Sequence, residues 1–353
     1  MRRNITKIKN RIIQKTDSIL DAMKLMDRID KKLLFVFENE VFLNIISIGD
    51  IQRAILKNIS LDTPIENILR SNTKFAFTKD SSESIKEKMY KFRIECMPLL
   101  DNSNQLIDVF FWEDIFGIEE KRKQANLQLP VVIMSGGKGT RLKPLTNVIP
   151  KPLIPLGEKT IIEEIMNRFV NVGCKEFLFS VNYKAETIKH YFEQVEEKSY
   201  SIDYFQESKP LGTAGSLHLI KGKITTTFFV SNCDIIIDED YSEILKYHYD
   251  NRNELTIVSA LKNYPIPYGT IKTKEGGILE ELIEKPELTF QINSGMYILE
   301  PHLLNEIPEN EFFHITQLIE NIINRNGKVG VFPVSEGSWR DIGEWNEYLK
   351  LIL

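Results

Sequence analysis

Ile133-Met134-Ser135-Gly136-Gly137-Lys138-Gly139-Thr140-Arg141-Leu142-Lys143-Pro144-Leu145-Thr146 is the stretch on which the reading of this chain turns. It begins as the apolar run Val131–Met134 ends, and it sets three glycines within four positions. A strand that runs into such a turn lets backbone N–H groups approach an anion with no Cβ in the way. Two familiar anion loops fail here. A Walker A loop needs Gly at 132 and Ser or Thr at 139, where Val132 and Gly139 stand. A dinucleotide fingerprint starting at Gly137 needs Gly at 142, where Leu142 stands. The neighbours still favour phosphate. Arg141 offers a planar fork of donors, and Lys151 lies between Pro150 and Pro152, whose fixed φ angles hold its direction.

Working outward, apolar strand-like runs alternate with helical patterns. Strands are expected at Val131–Met134, Glu176–Val181, Thr227–Val230, Leu255–Ala260 and Gly295–Leu299. Helices are expected at Ile161–Val172, closed by Gly173, at Ala185–Gln194 and at Tyr241–Tyr249. This alternation predicts a mostly parallel, doubly wound α/β sheet, with ligands beyond the carboxyl ends of its strands.

The chain has 353 residues, enough for more than one core. Its hydrophobic share of 42% and charged share of 27% are those of a globular protein. A net charge of −5 provides no basic field for nucleic acid or anionic lipid, and no apolar run is long enough to span a membrane. Cys96, Cys174 and Cys233 form no C-x-x-C, which predicts reduced thiols in a cytoplasm. The first residues lack the apolar region of a signal peptide.

The first 120 residues repeat themselves. Ser18–Met23 has a counterpart in Ser84–Met89, Phe35–Glu40 in Pro98–Ser103, and Asn44–Ile51 in Asp108–Ile115. Each copy reads as helix, two short strands around a turn, and helix. A unit of about 60 residues has little core of its own, so the copies are expected to pack as a pair. The polar stretch Glu119-Glu120-Lys121-Arg122-Lys123-Gln124 separates them from the longer α/β region. Residues 1–122 and 129–353 are the expected domains.

The repeat resembles the paired cystathionine-β-synthase-type (CBS) module, an α+β regulatory unit that in many proteins binds adenine nucleotides. Ser47 and Asp50 fit that family's Thr/Ser-x-x-Asp, whose hydroxyl and carboxylate face phosphate and ribose. In the second copy Phe111 replaces the hydroxyl and leaves Asp114. A purely structural or dimer-forming pair is the competing reading.

Residues 129–353 resemble the sugar-1-phosphate nucleotidyltransferases. The likeness rests on Ser135-Gly136-Gly137-Lys138-Gly139-Thr140-Arg141-Leu142, Pro150-Lys151-Pro152, Leu211-Gly212-Thr213-Ala214-Gly215 and Asn232-Cys233-Asp234. It continues through Tyr268-Gly269, Glu284-Lys285-Pro286, Asn293-Ser294-Gly295 and Trp339-Arg340-Asp341-Ile342-Gly343. Cys233 departs from the family pattern but is small enough to be accommodated. The resemblance implies a Rossmann-like sheet and attack of a sugar-1-phosphate oxygen on the α-phosphorus of a nucleoside triphosphate.

It also implies roles. Ser135, Gly136, Gly137, Gly139, Thr140, Gly212 and Thr213 would hold the nucleotide. Arg141 would meet the β/γ-phosphates, Lys151 the α-phosphate and Lys285 the sugar phosphate. Asp234 and Asp341 would hold Mg²⁺, with Mn²⁺ able to substitute. Gly269, Glu284 and Asn293 would contact the sugar. A phosphate monoester is mostly ionised at pH 7, so no general base is needed. His190, His218, His248, His302 and His314 accordingly match no catalytic motif.

Glu207, five residues before Gly212, is the expected selector of guanine, whose N1–H and N2 amino group are adjacent donors for a carboxylate. The repeat pair joined to a Gly-Thr-Ala-Gly transferase resembles the glucosamine-1-phosphate guanylyltransferases of bacterial legionaminic acid pathways. Mannose-, heptose- and N-acetylglucosamine-1-phosphate remain open, as does a catalytically inactive nucleotide-sensing protein. Partners are then GTP or another triphosphate, a sugar-1-phosphate, an adenine nucleotide at the repeats, and a further copy in a homo-oligomer.

Overall fold

The computed structural model describes residues 5–92, 94–116, 126–196 and 198–352; the polar stretch at 119–124 lies outside the described residues. The chain divides into two compact units, Met1–Lys123 and Gln124–Leu353.

In the first unit the order is β1 (Ile12–Gln14), α1 (Ile19–Ile29), β2 (Leu33–Glu38), β3 (Val41–Ser47) and α2 (Ile48–Leu56). It is then repeated as β4 (Ala76–Phe77), α3 (Ser82–Phe92), β5 (Cys96–Leu100), β6 (Leu106–Phe111) and α4 (Trp112–Phe116). In each half the first strand is parallel to the second, and the second antiparallel to the third. The short opening strands β1 and β4 were not expected from the sequence. Ser18 and Asp21 start α1 with a capping box, and Ile19, Ala22, Met23 and Met26 bury one face of it. Phe35, Phe42 and Ile45 of the first half share a core with Cys96, Leu100 and Val109 of the second. Neither half closes that core alone.

The second unit begins with β7 (Val131–Met134), a small hairpin β8 (Pro155–Leu156) and β9 (Lys159–Thr160), α5 (Ile161–Asn171), β10 (Glu176–Val181), α6 (Ala185–Glu193) and β11 (Ser201–Gln206). Next come β12 (Phe228–Asn232), β13 (Ile235–Ile237), α7 (Tyr241–Asp250), β14 (Leu255–Pro265), β15 (Thr270–Thr273), β16 (Leu279–Ile283) and β17 (Glu287–Leu299). The unit ends with α8 (Ile315–Asn324), β18 (Val329–Val334), β19 (Trp339–Asp341) and α9 (Trp345–Ile352).

Seven strands form one sheet in the order β11-β10-β7-β12-β17-β14-β18. Within it, β17 runs against its neighbours and the other pairings are parallel. Both faces are covered, and the two-residue period shows it. Val131, Ile133, Phe177 and Phe179 enter one core, while Val132 and Leu178 enter the other. β14 and β17 run beyond the sheet as a long antiparallel ribbon that the sequence reading missed, because its side chains are polar or exposed there.

The register decides where the chemistry lies. Met134 is paired with Asn232, and Val181 with Gln206, so neighbouring strands end at one edge. Ser135, Asn182, Glu207 and Asp234 all leave that carboxyl edge, as parallel sheets require. β13 and β19 pair antiparallel, with Ile235 opposite Asp341, which brings the two distant aspartate motifs together.

Candidate active site

The glycine loop does not open an α-helix. It passes into short 3₁₀ turns at Thr140–Leu142 and Leu145–Asn147. Gly139 has φ +60°, and a Cβ there would lie 2.9 Å from both Lys151 Cβ and Thr146 Cγ2. Only glycine meets both demands. Gly137 and Thr140 are open to solvent. Ser135 is buried, and its amide and hydroxyl both donate to the Ser180 carbonyl, so its side chain ties β7 to β10. Lys184 Nζ donates to the carbonyls of Asn147 and Val148 at 2.6 Å each, bracing the loop that leads to Pro150. Nothing in the sequence pointed to Lys184.

Lys151 is buried and pairs with Asp234 Oδ2. Arg141 Nη2 lies 3.8 Å from Asp234 Oδ2, and Nη1 lies 3.9 Å from Asp341 Oδ2 and 3.0 Å from Glu344 Oε1. The Ile342 amide donates to the Asp234 carbonyl at 2.7 Å, and the Gly343 amide to Asp341 Oδ1 at 2.7 Å. These bonds fix one carboxylate against the other. Burial, and then the charge of Asp234, hold the Asp341 carboxyl above its ordinary range. Cys233 is buried beside them, and burial pushes its thiol up to about 12.

Gly343 is the centre of this arrangement. A Cβ there would lie 2.5 Å from Asp341 Oδ1, 2.8 Å from Arg141 Nη2 and 3.1 Å from Lys151 Nζ. The cradle is therefore open only because residue 343 has no side chain. Two carboxylates held side by side against their mutual repulsion, around a space of this kind, suit a hard divalent cation with oxygen ligands. The residues present fit such an ion. Gly343 and Glu344 belong to the site but were not singled out from the sequence; their adjacency to Asp341 was the available signal.

The segment expected to hold a base is bolted to a distant loop. Gly212 has φ +83°, the Phe313 amide donates to the Leu211 carbonyl, and the amides of Ala214 and Gly215 donate to the Phe313 carbonyl. Thr213 Oγ1 accepts from the Ile315 amide and contacts His314 Nδ1 at 3.3 Å, while His218 Nδ1 lies 2.6 Å from the Gly215 carbonyl. Two histidines without a catalytic motif thus shape this loop.

Glu207 is buried. Its Oε2 accepts from the Leu211 amide at 2.9 Å and its Oε1 from Ser180 Oγ at 3.1 Å. It anchors the loop as well as facing Gly136, whose Cβ would lie 2.9 Å from Oε1.

On the ribbon, a Cβ at Gly269 would lie 3.0 Å from Glu284 Oε2, so these two motifs meet. Lys285 is exposed at φ +46°, and among the described residues it makes no ion pair. Asn293 Nδ2 donates to the Tyr297 hydroxyl at 2.8 Å and its Oδ1 accepts from the Gly295 amide. The internal bonds leave one N–H and one acceptor position for a ligand.

In the first unit Ser47 and Asp50 cap α2. The Ser47 amide and hydroxyl donate to Asp50 Oδ2, while Arg53 and Arg70 pair with Oδ1. Asp50 is 5% exposed, so both its oxygens already serve the fold. In the other copy Asp114 pairs with Lys7 at 3.0 Å.

Residues 130–353 match the nucleotidyl transferase family, and the chain belongs to it. It is 35% identical over 232 residues to a mannose-1-phosphate guanyltransferase of Yarrowia lipolytica, covering 62% of each chain. It is 32% identical over 225 residues to the mannose-1-phosphate guanylyltransferase catalytic subunit beta of Drosophila melanogaster, covering 62% of this chain and 60% of that one. The chain thus spans less than two thirds of the length of these curated relatives. Crystal structures of HddC from Yersinia pseudotuberculosis, alone and complexed with GMP-PN, align with TM-scores of 0.51 and 0.50 at 26% identity. Both alignments cover 63% of this chain and 97% of HddC. No helix among the described residues is long and apolar enough to cross a membrane.

Proposed function

We propose that this protein transfers a guanylyl group from GTP to a sugar-1-phosphate, releasing pyrophosphate. The observation that carries the reading is the convergence of Arg141, Lys151, Asp234 and Asp341 on the cradle left open by Gly343. Two polyanions must be held in line while charge grows on the departing pyrophosphate. A divalent ion, Mg²⁺ in this reading, would supply the charge that neutralises the triphosphate when held by Asp234 and Asp341. Arg141 binds the outer phosphates, Lys151 the α-phosphate, and the loop amides at 136–140 orient them. Lys285 and Glu284 on the ribbon meet the sugar-1-phosphate, together with Asn293. The attacking phosphate is ionised at neutral pH, so no side chain need remove its proton.

Guanine is favoured by the names of the relatives and by the GMP-PN complex of HddC; Glu207 lies beside the glycine loop, where its oxygens already accept from the Leu211 amide and the Ser180 hydroxyl. For the sugar, the duplicated first unit supports glucosamine-1-phosphate, on the route to legionaminic acid. The relatives' names support mannose-1-phosphate as the second reading. The duplicated β-α-β-β-α order also supports a CBS-type regulatory pair in residues 1–122. A cytoplasmic setting belongs to the same reading, supported by three buried free thiols.

The test is pyrophosphate release by the purified chain with Mg²⁺, four nucleoside triphosphates and the mannose, glucosamine, N-acetylglucosamine and heptose 1-phosphates. GTP should exceed UTP and dTTP at least tenfold with one of the sugars. No release from any pair would end the transferase reading, and equal use of UTP would end its guanylyl part.

A further inference from the structure

Arg141 is assigned to the outer phosphates, yet its fork already has a carboxylate against it. Nη1 donates to Glu344 Oε1 at 3.0 Å, whereas Asp341 and Asp234 lie farther off, at 3.9 and 3.8 Å. The Arg141 and Glu344 side chains are 54% and 58% exposed, so the pair is a weak one that a polyanion can displace. The backbone around Glu344 is held on both sides. The Gly343 amide donates to Asp341, the Trp345 indole Nε1 donates to the Lys143 carbonyl at 2.9 Å, and the Tyr348 amide donates to the Glu344 carbonyl as α9 begins. The Glu344 carboxylate can therefore leave Arg141 by side-chain rotation alone.

Charge distribution separates Glu344 from its neighbours. Two cations, Arg141 and Lys151, face three carboxylates. Asp234 pairs with Lys151, and Asp341 is fixed by the Gly343 amide beside the cradle. These two aspartates already restrain the guanidinium, so a third carboxylate is not needed to hold it.

We propose that Glu344 is an internal competitor for the polyphosphate tail of the substrate. It fills the Arg141 fork before the triphosphate arrives, swings aside as the outer phosphates bind, and returns to the fork as pyrophosphate leaves. This role rests on the transferase reading and adds a means of product release to it. Pyrophosphate keeps the oxygens that Arg141 gripped in the triphosphate, so donors that hold the substrate's tail equally hold the product. Such uniform binding does not speed the chemical step, and it delays release. A carboxylate competing for the same donors weakens both complexes. A strut that held Arg141 ready for phosphate would act with the opposite sign, because its loss would weaken them.

The experiment is calorimetric titration of the full chain with pyrophosphate and Mg²⁺, joined to pyrophosphate inhibition of nucleotide-sugar formation from GTP. Glu344→Gln keeps the size of the side chain and removes its charge. It should bind pyrophosphate about five- to tenfold more tightly, lower the KM for GTP by a similar factor, and lose this difference as salt is raised. A gain in affinity cannot come from misfolding. Glu347→Gln removes one charge from the same helix, where Glu347 pairs with Lys350, and should leave both constants within about twofold of the wild type. Pyrophosphate binding that is unchanged or weaker in Glu344→Gln overturns the proposal, the weaker case making Glu344 a strut. Equal tightening in both variants also overturns it, since the effect would then be one of general charge. A wild type that binds pyrophosphate and turns over, beside an unchanged variant, refutes this role alone. A wild type that does neither refutes the transferase reading and this role with it.

Discussion

Gly343→Ala tests the cradle with a single methyl group. Its Cβ would stand 2.5 Å from Asp341 Oδ1, about 1 Å inside ordinary van der Waals contact. The carboxylate cannot simply swing aside, because the Gly343 amide holds that same oxygen at 2.7 Å. Arg141 Nη2 at 2.8 Å and Lys151 Nζ at 3.1 Å close the other directions. The variant must therefore shift at least one of the three charged groups by roughly an ångström. A misplacement of that size at a reacting centre costs about 10²-fold in rate, or ~2.7 kcal/mol of barrier. Gly343 is not among the residues with positive φ, so alanine introduces no backbone strain there. Steady-state pyrophosphate release should then show kcat reduced about a hundredfold, with a melting temperature near that of the wild type. A Gly343→Ala enzyme within threefold of wild-type kcat would mean that the space serves nothing in the reaction, and the cradle would lose its role.

Asp234→Asn and Asp341→Asn should each lower kcat by at least ~10²-fold, the scale of losing one preorganised electrostatic group, and activity should vanish in EDTA; full turnover in either case removes the metal from the mechanism. Glu207→Gln should narrow the preference for GTP over UTP, and because it also alters an anchor of the loop it should raise exchange at the Leu211 amide; selectivity retained with faster exchange would leave Glu207 as an anchor alone. Arg325 and then His302 hold the Glu254 carboxyl at about 2, below its ordinary 4.5. A depressed carboxyl stabilises above the unfolded value and loses that contribution as pH falls through the folded one. Glu254→Gln should therefore lower the melting temperature at pH 7, with the difference from wild type fading between pH 4.5 and about 2. Calorimetry of the full chain with AMP and ATP should give at most one site in the repeat pair. Asp50→Ala should lower the melting temperature whether or not nucleotide binds, because it removes the capping box that Asp50 forms with Ser47 at the start of α2.

Local chemistry was legible along the chain alone. Strand periods at Val131–Met134 and Glu176–Val181 could be read because both faces of those strands are buried, leaving continuous apolar runs. The capped helix beginning at Ile161 was legible for the same kind of reason, a 3.6-residue apolar stripe closed by Gly173. The repeat in the first unit was visible because two halves that share one core must carry apolar residues at matching positions. Pro150 and Pro152 announced a held lysine, but not what would hold it.

Convergence of the site came only with folding. Asp234 and Asp341 lie over a hundred positions apart, and only the β13–β19 pairing makes them one site. Glu207 and Asp50 looked like free carboxylates, because a sequence does not show which amides, hydroxyls or guanidinium groups will reach them. The ribbon of β14 to β17 was missed because its hydrophobic residues face outward, where no period ties them to a core. Gly343 was one more glycine in a motif until the folded chain set three charged groups around it. Side-chain convergence depends on strand register, and register is set by contacts between residues far apart in the chain.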